Sequence, residues 1–261
     1  MEYTDIKYEV VDQAAIITFN RPERYNSFRG RTIEETLHAF KRAWVDKQVA
    51  AVIITGAGDK AFCTGGDQKE FNETGSYGTS ENGLWELDAL QQVVRDIPKP
   101  VIAAVNGFAI GGGHVLHVLC DVTIASENAK FGQAGPRVGS FDAGWGTAYL
   151  ARTIGEKRAR EIWYWCRQYT AQEAKEWGLV NKVVPVGQAL AEAQQWAAEV
   201  ASMSPTSLKA LKASFNCDTA HIFGQTKMAY LQLEMWGTAE EVMEGKQAFV
   251  EKRKPDFGRF R

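Results

Sequence analysis

Residues 99–126 have the sequence KPVIAAVNGFAIGGGHVLHVLCDVTIAS, and this segment decides the fold of the chain. The apolar, β-branched run Val101–Val105 is typical of a buried strand, and a second strand is predicted over Val122–Ala125. Between them, the apolar pattern that begins at His114 predicts a short helix packed on most sides. A strand, a helix and a further strand in succession indicate an α/β fold.

Three consecutive glycines, Gly111–Gly113, separate the first strand from the helix. Backbone N–H groups are unpaired where a helix begins, and glycine lets a ligand approach them closely. Such a turn can hold negative charge on oxygen, either on a phosphate or on an oxyanion formed during a reaction. The spacing does not match a dinucleotide fingerprint, and the chain contains no G-K-[ST] P-loop. A tightly packed turn and an oxyanion hole remain as alternatives.

A second glycine segment supports the oxyanion alternative, because an oxyanion hole needs donors from two places. Residues Phe62–Gln68, FCTGGDQ, repeat the same order of a strand, paired glycines and a polar segment. The sequence therefore offers two sets of backbone donors that could converge on one oxygen atom.

Length, charge and cysteine usage limit the functional classes. The 261 residues suffice for one large domain or for a core with a C-terminal extension, and the net charge of −2 argues against a nucleic-acid partner. No apolar run reaches membrane-spanning length, and the charged N-terminus does not resemble a signal peptide. The four cysteines form no CxxC pair, which is typical of reduced thiols in a cytoplasmic protein.

The remaining pattern alternates strands and helices over the first two-thirds of the chain and is helical afterwards. Thr32 is expected to cap a helix over Ile33–Asp46, and Lys69–Asn82 lacks periodicity, which predicts a mobile loop over a site. Strands are predicted over Tyr8–Asp12, Ala14–Phe19, Val49–Gly56 and Val180–Val184, and helices over Leu84–Asp96, Thr147–Ile154, Lys157–Cys166, Ala171–Trp177 and from Gln188 to about Phe249.

Three motifs in this order, FCTGGDQ, PVIAAVNGFAIGGGHVL and FGQAGPRVGSFDAGWG, resemble the crotonase (enoyl-CoA hydratase/isomerase) superfamily. The resemblance extends from NRPERYNSF to AFVEKRKPDF, essentially the whole chain. It implies a spiral ββα core over residues 1–190 and a helical oligomerisation region over residues 191–261, in a homotrimer or a dimer of trimers. It also implies acyl-CoA thioester substrates, whose carbonyl oxygen would be bound by the backbone N–H groups of Gly66 and Gly112.

The hydratases of this superfamily place catalytic glutamates after the second glycine motif. Here the comparable positions are His117 and the Gly135–Val138 region, without a glutamate, so a hydratase or simple isomerase is not expected. The run GSFDAGWGTAYLARTIGEKRAREIWYWCRQY instead resembles two relatives. One is 1,4-dihydroxy-2-naphthoyl-CoA synthase, which closes a ring by a Dieckmann-type condensation. The other is 2-ketocyclohexanecarboxyl-CoA hydrolase, which opens a ring by the reverse C–C step with water.

Three features favour the ring-opening hydrolase over the synthase. They are the tract FNCDTAH, the short segment Asn82–Leu87, and Ala134 where bicarbonate-using synthases have threonine. One departure concerns Trp236 and Gly237, which stand where both relatives usually have a tyrosine. The missing phenol leaves the exact ring substrate open.

Both reactions pass through a thioester enolate, so the site needs an oxyanion hole and an acid–base group. Asp142 is the best candidate for that group, with Ser140 as its hydrogen-bonding partner and Tyr77 as a substrate contact, as the resemblance implies. From the residues alone, an Asx-turn in a glycine-rich loop is the favoured interpretation of Asp142, and the resemblance reverses that preference.

The resemblance also implies residues that bind the substrate and its CoA. Gln133 and Trp163 match positions at which the synthases hold bicarbonate, whereas a helical tryptophan is otherwise an ordinary core residue. Phe249 and Lys252 match residues that reach CoA, often from an adjacent subunit, although a solvated basic tail is the alternative. The full set is Arg24, Tyr25, Thr64, Gly65, Asp67, Gln68, Phe108, Ile110, Gly111, Gln133, Trp163, Phe249 and Lys252.

No cofactor is expected, because CoA is part of the substrate, and only the synthase alternative would add bicarbonate. His114 and His117 have helical i,i+3 spacing but no convincing third ligand, so no metal is expected either. A non-catalytic RNA-binding or scaffold member of the superfamily is an alternative of a different class. The intact glycine motifs and the nearly neutral charge argue against it.

Overall fold

The computed structural model describes all residues, Met1–Arg261, as ten strands and eleven helices. The strands are β1 (Ile6–Val11), β2 (Ala14–Phe19), β3 (Ala51–Gly56), β4 (Ala61–Cys63), β5 (Val101–Val105), β6 (Phe108–Ile110), β7 (Val122–Ser126), β8 (Lys130–Gly132), β9 (Gln168–Thr170) and β10 (Lys182–Val184). The helices are α1 (Gly30–Val45), α2 (Gln68–Thr74), α3 (Leu87–Asp96), α4 (Gly112–Leu119), α5 (Leu150–Ile154), α6 (Glu156–Trp165), α7 (Ala171–Glu176), α8 (Ala189–Ala201), α9 (Pro205–Cys217), α10 (Ile222–Trp236) and α11 (Glu240–Val250).

The strands form two sheets that the chain visits in turn. The larger sheet has the order β1-β2-β3-β5-β7-β10 and the smaller has the order β4-β6-β8-β9. All pairings are parallel except β1 with β2 and β9 with β8. From β3 to β8 consecutive strands alternate between the sheets, and helices follow β4 and β6. This succession is the spiral ββα core that the family resemblance implies.

The central strands of the larger sheet are apolar throughout because both faces of the sheet are covered. Every residue of β3 and β5 is buried. On one face their side chains join the main core, together with α1, α3 and α4. On the other face Ile53, Ile102 and Ala104 join a smaller core that α8 completes.

Helix α8 packs on this second face through small residues. Its Ala189, Ala193 and Ala197 are buried, and this close contact explains why the seam of α8 is alanine-rich. The domain boundary expected at residue 190 therefore falls inside α8, a helix that belongs to the core packing. Helices α9, α10 and α11 follow it.

Three sequence predictions need correction in detail. The segment Lys69–Asn82, expected to be irregular, begins inside α2, since the Asp67 side chain caps that helix by accepting from the N–H groups of Lys69 and Glu70. The seven residues of α2 are too few to show a helical period in the sequence. Thr32 does not cap α1; it lies in the first turn, where its hydroxyl accepts from the N–H of Arg29.

The third correction concerns the helix expected over Thr147–Ile154. The structure has a π-helical turn over Trp145–Tyr149, and α5 begins only at Leu150. Short 3₁₀ turns lie at Pro22–Arg24, Gly135–Arg137 and Gly258–Phe260.

No helix of the structure has both the length and the apolar character needed to cross a bilayer. All four cysteines are free, and three of them are buried. A disulfide framework is therefore not part of the fold.

Candidate active site

The two glycine segments meet at one edge of the smaller sheet. Strands β4 and β6 are parallel neighbours, so their carboxyl ends at Cys63 and Ile110 lie side by side. Gly66 follows the first strand, and Gly112 is the first residue of α4 after the second. Neither the N–H of Gly66 nor that of Gly112 donates a hydrogen bond within the protein. Two backbone donors are thus available at this edge.

Steric contacts explain why glycine is required here. Gly65 has φ of +82°, and an added Cβ would lie 2.9 Å from the nitrogen of Gly112. A Cβ on Gly112 would lie 2.6 Å from Phe28 Cζ, and one on Gly66 would lie 2.8 Å from Tyr77 Cε1. The glycines allow the two segments to touch, while the rings of Phe28 and Tyr77 flank the donors. An oxygen that develops negative charge between the donors would gain about 3 kcal/mol from each.

Asp142 lies on the loop between the 3₁₀ turn and the π-helical turn, and α10 and α11 hold that loop in place. A Cβ on Gly144 would lie 2.8 Å from the nitrogen of Thr226 in α10, and one on Gly139 would lie 2.7 Å from the Cα of Val242 in α11. Burial raises the pKa of Asp142 to about 7, although Gln91 and the N–H of Gly146 act in the opposite direction. A carboxyl group with this pKa can both accept and return a proton near neutral pH.

The loop and the helix α4 share a wall of the site at Gly146. A Cβ on Gly146 would lie 3.1 Å from Asp142 Cβ, 3.2 Å from Val115 Cγ2 and 2.9 Å from Trp163 Cζ2. Asp142 is therefore on the same side as the first turn of α4, which carries the Gly112 N–H. The α4 side chain that faces this wall is Val115, whereas His117, expected at a hydratase glutamate position, is buried and contacts Thr123.

Ser140 does not form the expected hydrogen bond with Asp142. Its own N–H donates to the carbonyl of Gly135 at 2.9 Å and closes the turn, but its hydroxyl has no bond to the carboxyl group. The side chain that lies beside the carboxyl is Gln91 of α3. The Asp142 carboxyl therefore has Gln91 of α3 on one side and the N–H of Gly146, four residues along its own chain, as a second contact.

Tyr77, which the resemblance makes a substrate contact, lies against Gly66. Its ring covers Gly66, stacks on Trp85 at 5.4 Å between centroids, and contacts Phe71 at 4.8 Å. Its hydroxyl accepts a hydrogen bond of 2.8 Å from Gln68 Nε2, so Gln68 supports Tyr77 within the protein. Burial raises the pKa of Tyr77 to about 12, so the phenol stays protonated near the two free backbone donors.

Four of the predicted CoA-binding residues lie together. The Tyr25 ring contacts the Phe108 ring edge-on at 6.4 Å, and Thr64 Oγ1 donates to the carbonyl of Tyr25 at 3.3 Å. Arg24 precedes Tyr25, whose φ of +52° reverses the chain there. Within this cluster, Thr64 directly follows β4 at the end that carries the glycines, whereas Phe108 is the first residue of β6 and pairs with Ala61.

Three other predicted binding residues have different surroundings. Asp67 is buried; besides capping α2, it accepts a hydrogen bond of 2.8 Å from Arg21 Nη2. Phe249 and Lys252 lie at the exposed C-terminal end of α11, without a hydrogen bond or aromatic contact to the Tyr25 cluster. The carboxylate of Asp67 thus serves the fold of the glycine segment.

The two residues expected at a bicarbonate site use their polar groups within the protein. Trp163 Nε1 donates to the carbonyl of Gly146 at 2.5 Å. Gln133 Nε2 lies 3.4 Å from the carbonyl of Gly111 and 3.3 Å from His114 Nδ1. Both side chains are buried beside the site and stabilise its wall.

His114 and His117 pack edge-to-face inside α4 with 4.9 Å between centroids. Burial lowers the pKa of His114 to about 3 and that of His117 well below its usual value, so both rings are neutral. No group of three or more His, Cys, Asp or Glu side chains has the geometry to hold a metal ion.

Sequence reasoning missed Gln91 and Tyr230, which lie behind Asp142. The hydroxyl of Tyr230 in α10 donates to Gln91 Oε1 at 3.1 Å. One signal was present: Gln91 lies between Leu90 and Val94 on the apolar face of a predicted helix, where a polar residue is unusual. Nothing local in the sequence connects Tyr230 to this site.

Comparison with known proteins agrees with this architecture. The chain is similar to an enoyl-CoA hydratase from Mycobacterium avium subsp. paratuberculosis (28% identity over 98% of this chain and 99% of that one, TM-score 0.87). It is also similar to an enoyl-CoA hydratase from Bacillus anthracis (33%, 97% and 98%, TM-score 0.74) and to a carnitinyl-CoA hydratase from Mycobacterium avium (31%, 97% and 98%, TM-score 0.80). A model of the enoyl-CoA hydratase/isomerase family matches residues 10–259. Because that match covers nearly the entire chain, the protein belongs to the enoyl-CoA hydratase/isomerase family, within the crotonase superfamily.

Proposed function

We propose that this protein opens a β-keto alicyclic ring of an acyl-CoA thioester by hydrolytic C–C cleavage, as a 2-ketocyclohexanecarboxyl-CoA hydrolase does. The observation that carries the proposal is Asp142, a carboxyl group with a pKa of about 7 beside the helix that bears the Gly112 N–H. A hydrolytic ring opening needs one group that takes a proton from water and returns one to carbon. Asp142 has the position and the pKa for both steps.

Each proposed step uses groups of this chain. Asp142 accepts a proton as the water oxygen bonds to the ring ketone carbon. The bond between that carbon and the α-carbon then breaks, and its electron pair forms a thioester enolate whose oxygen accepts from the Gly66 and Gly112 N–H groups. Asp142 returns its proton to the α-carbon. The product is an open-chain acyl-CoA with a new carboxylic acid at its far end.

The absence of glutamate separates this proposal from hydration of an enoyl-CoA. Neither Gly112–Leu119 nor Phe131–Gly146 contains a glutamate, and Val115 and Gly146 line the wall beside Asp142. A single carboxyl group favours a reaction in which one residue works first as base and then as acid.

The ring-closing alternative, a 1,4-dihydroxy-2-naphthoyl-CoA synthase, has less support. In the bicarbonate-dependent form of that reaction, the anion would need hydrogen-bond donors at Gln133 and Trp163. The indole N–H of Trp163 already donates to Gly146, and the amide of Gln133 contacts Gly111 and His114. These contacts favour a site without bicarbonate. We propose that the reaction uses no metal or cofactor, since backbone donors, a carboxyl group and water account for each step.

The test is to incubate the purified protein with 2-ketocyclohexanecarboxyl-CoA in isotopically labelled water and to follow products by mass spectrometry. We expect pimeloyl-CoA with one labelled oxygen in its free carboxylate, and much slower formation with Asp142→Asn. Hydration of crotonyl-CoA, or cyclisation of the aromatic open-chain thioester used by the synthase, without ring opening would refute the proposal.

We further propose that the protein assembles as a homotrimer or a dimer of trimers. Helices α9 and α10 carry large apolar side chains that are more than half exposed in a single chain, namely Leu211, Phe215, Leu231 and Met235. Large apolar side chains exposed on two successive helices are the kind of surface that proteins cover by association. Light scattering after size-exclusion chromatography would give the mass, and a monomer at micromolar concentration would contradict this proposal.

A further inference from the structure

Three side chains from three separate elements lie in a row behind the candidate active site. They are Asp142 on the loop, Gln91 on α3 and Tyr230 on α10. Gln91 is fully buried, its Oε1 accepts from the Tyr230 hydroxyl at 3.1 Å, and its side chain lies beside the Asp142 carboxyl. The order is therefore phenol, amide, carboxyl.

The chemistry of an amide gives this row a direction. The carbonyl end of Gln91 is occupied by the phenol, which leaves the Nε2 donor end for another group. Gln91 Nε2 is buried without a hydrogen-bond partner, and so is Asp142 Oδ1. A buried donor and a buried acceptor that both lack partners are costly, and pairing them removes both costs.

Tyr230 is suited to hold the amide because it remains a donor. Burial first, and then the negative charges of Asp142 and Asp88, raise the pKa of Tyr230 well above its usual value. Asp88 is itself ion-paired with Lys227 on the surface side of α10. Two titratable side chains thus face Gln91, Tyr230 at its carbonyl end and Asp142 beside it, and Asp88 is the other charged group that acts on Tyr230.

We propose that Gln91 is a positioning residue for Asp142, and that Tyr230 fixes the Gln91 amide so that Nε2 points at the carboxyl group. The inference rests on the proposed function only in taking Asp142 as the acid–base group. One carboxylate oxygen is held by the amide N–H while the other is left for water. The same bond stabilises the ionised form of Asp142, so that it can act as a base at neutral pH.

The test compares Gln91→Leu, Tyr230→Phe and the double variant in two measurements. The first is the pH profile of kcat/KM, and the second is the pKa of Asp142 from carboxyl NMR of labelled protein, with Asp142→Asn assigning the signal. Gln91→Leu removes a hydrogen bond to the ionised carboxyl. It should therefore raise both the apparent pKa of the kcat/KM profile and the NMR pKa of Asp142 by about one unit, a tenfold change in the proton equilibrium. Tyr230→Phe should shift them the same way by less, because the amide can then rotate, and the double variant should add nothing to Gln91→Leu.

Gln92→Leu is the matched control, since Gln92 lies one position along α3 and donates to Asp96 away from the site. It should leave both measurements unchanged. If Asp142→Asn is inactive but neither Gln91→Leu nor Tyr230→Phe moves the Asp142 pKa, the positioning role is wrong and the proposed function stands. If the pKa moves but Asp142→Asn is fully active, the proposed function is wrong and the positioning contact stands. Should Gln91→Leu fail to fold, Tyr230→Phe alone decides, because it keeps the ring and removes only the hydroxyl.

Discussion

At the scale of single residues, the candidate site depends on how one carboxyl group is surrounded. Burial disfavours the charged form of Asp142, while Gln91 and the Gly146 N–H favour it, and the balance leaves its pKa at about 7. Exposed carboxyl groups such as Asp59 lie on the surface turns and have no such surroundings. The sequence motif alone could not distinguish these environments, because the side chain beside Asp142 comes from α3.

The first prediction concerns the pH dependence of this group. If Asp142 acts as a base, kcat/KM should rise with pH and level off above about 7, the pKa that burial gives the carboxyl. Asp142→Asn should lower kcat by a factor of roughly 10² to 10⁴ and abolish the rise of kcat/KM with pH, with little change in substrate binding. Asp59→Asn, on an exposed turn, is the control. An Asp142→Asn enzyme within about threefold of wild type would leave the Asx-turn as its role.

The second prediction isolates the Gly112 N–H by comparing two substitutions. Alanine and proline both add a Cβ at residue 112, and this atom would lie 2.6 Å from Phe28 Cζ. Both substitutions therefore strain the same contact. Only proline removes the N–H, and proline is tolerated at the first position of a helix. Gly112→Pro should therefore turn over at least about 10² more slowly than Gly112→Ala, the usual cost of one oxyanion donor. Steady-state kinetics on the two folded variants measures the ratio, and equal rates would remove this N–H from the mechanism.

At the scale of elements, local patterns predicted those parts of the site that are built locally. The glycine pairs after β4 and β6 are readable because a strand, a turn and a helix are continuous in sequence. Helix α2 was not predicted, since its stability comes from the Asp67 cap and the Arg21 ion pair rather than from an apolar period. The Gln91–Tyr230 contact spans 139 positions, and no pattern in one sequence connects residues so far apart.

Helices α2 and α11 meet at a buried lysine that no local pattern marked. Lys246 has neither an ion pair nor a hydrogen bond, and its Nζ lies 3.0 Å from the centroid of the Phe71 ring. Burial lowers the pKa of Lys246 to about 8 from 10.5. Above the folded-state pKa and below the unfolded one, the folded state binds fewer protons, so stability rises with pH across that interval. Below about 8 the full cost of burying the charge is present.

The third prediction follows from the cost of burying the charged form of Lys246. Lys246→Met keeps the length of the side chain and removes the buried charge, so it should raise the melting temperature at pH 7. The difference from wild type should shrink as the pH rises from about 8 to 10.5. Lys209→Met, at an exposed position of α9, is the control and should change little. A lower melting temperature for Lys246→Met at pH 7 would mean that the cation–π contact with Phe71 outweighs desolvation.

At the scale of the whole molecule, the C-terminal helices are tied to the spiral core. Helix α8 completes the second face of the larger sheet, and α9 inserts Lys212 at the start of β5. Lys212 Nζ donates to the carbonyls of Val94 and Lys99 at 3.0 Å and to Asp121 at 2.7 Å. The sequence predicted a spiral core followed by helices, but not this connection, because a lysine in a helix is normally exposed.

The last prediction tests whether this connection makes the two regions unfold together. Burial lowers the pKa of Lys212, while Asp121, whose Oδ2 lies 2.7 Å from Lys212 Nζ, acts to raise it. Lys212→Met leaves two carbonyls without their donor and Asp121 with only the Val101 N–H. Removing one partner of a buried pair should cost about 3 kcal/mol, at the low end of the usual range because Asp121 is partly exposed.

Urea unfolding followed by circular dichroism and tryptophan fluorescence should show one transition in wild type and the same single transition at lower urea concentration in Lys212→Met. Lys209→Met again serves as the exposed control on the same helix. Two separate transitions in wild type would show that the C-terminal helices unfold apart from the core, and a loss below about 1 kcal/mol in the variant would show that Lys212 does not couple them.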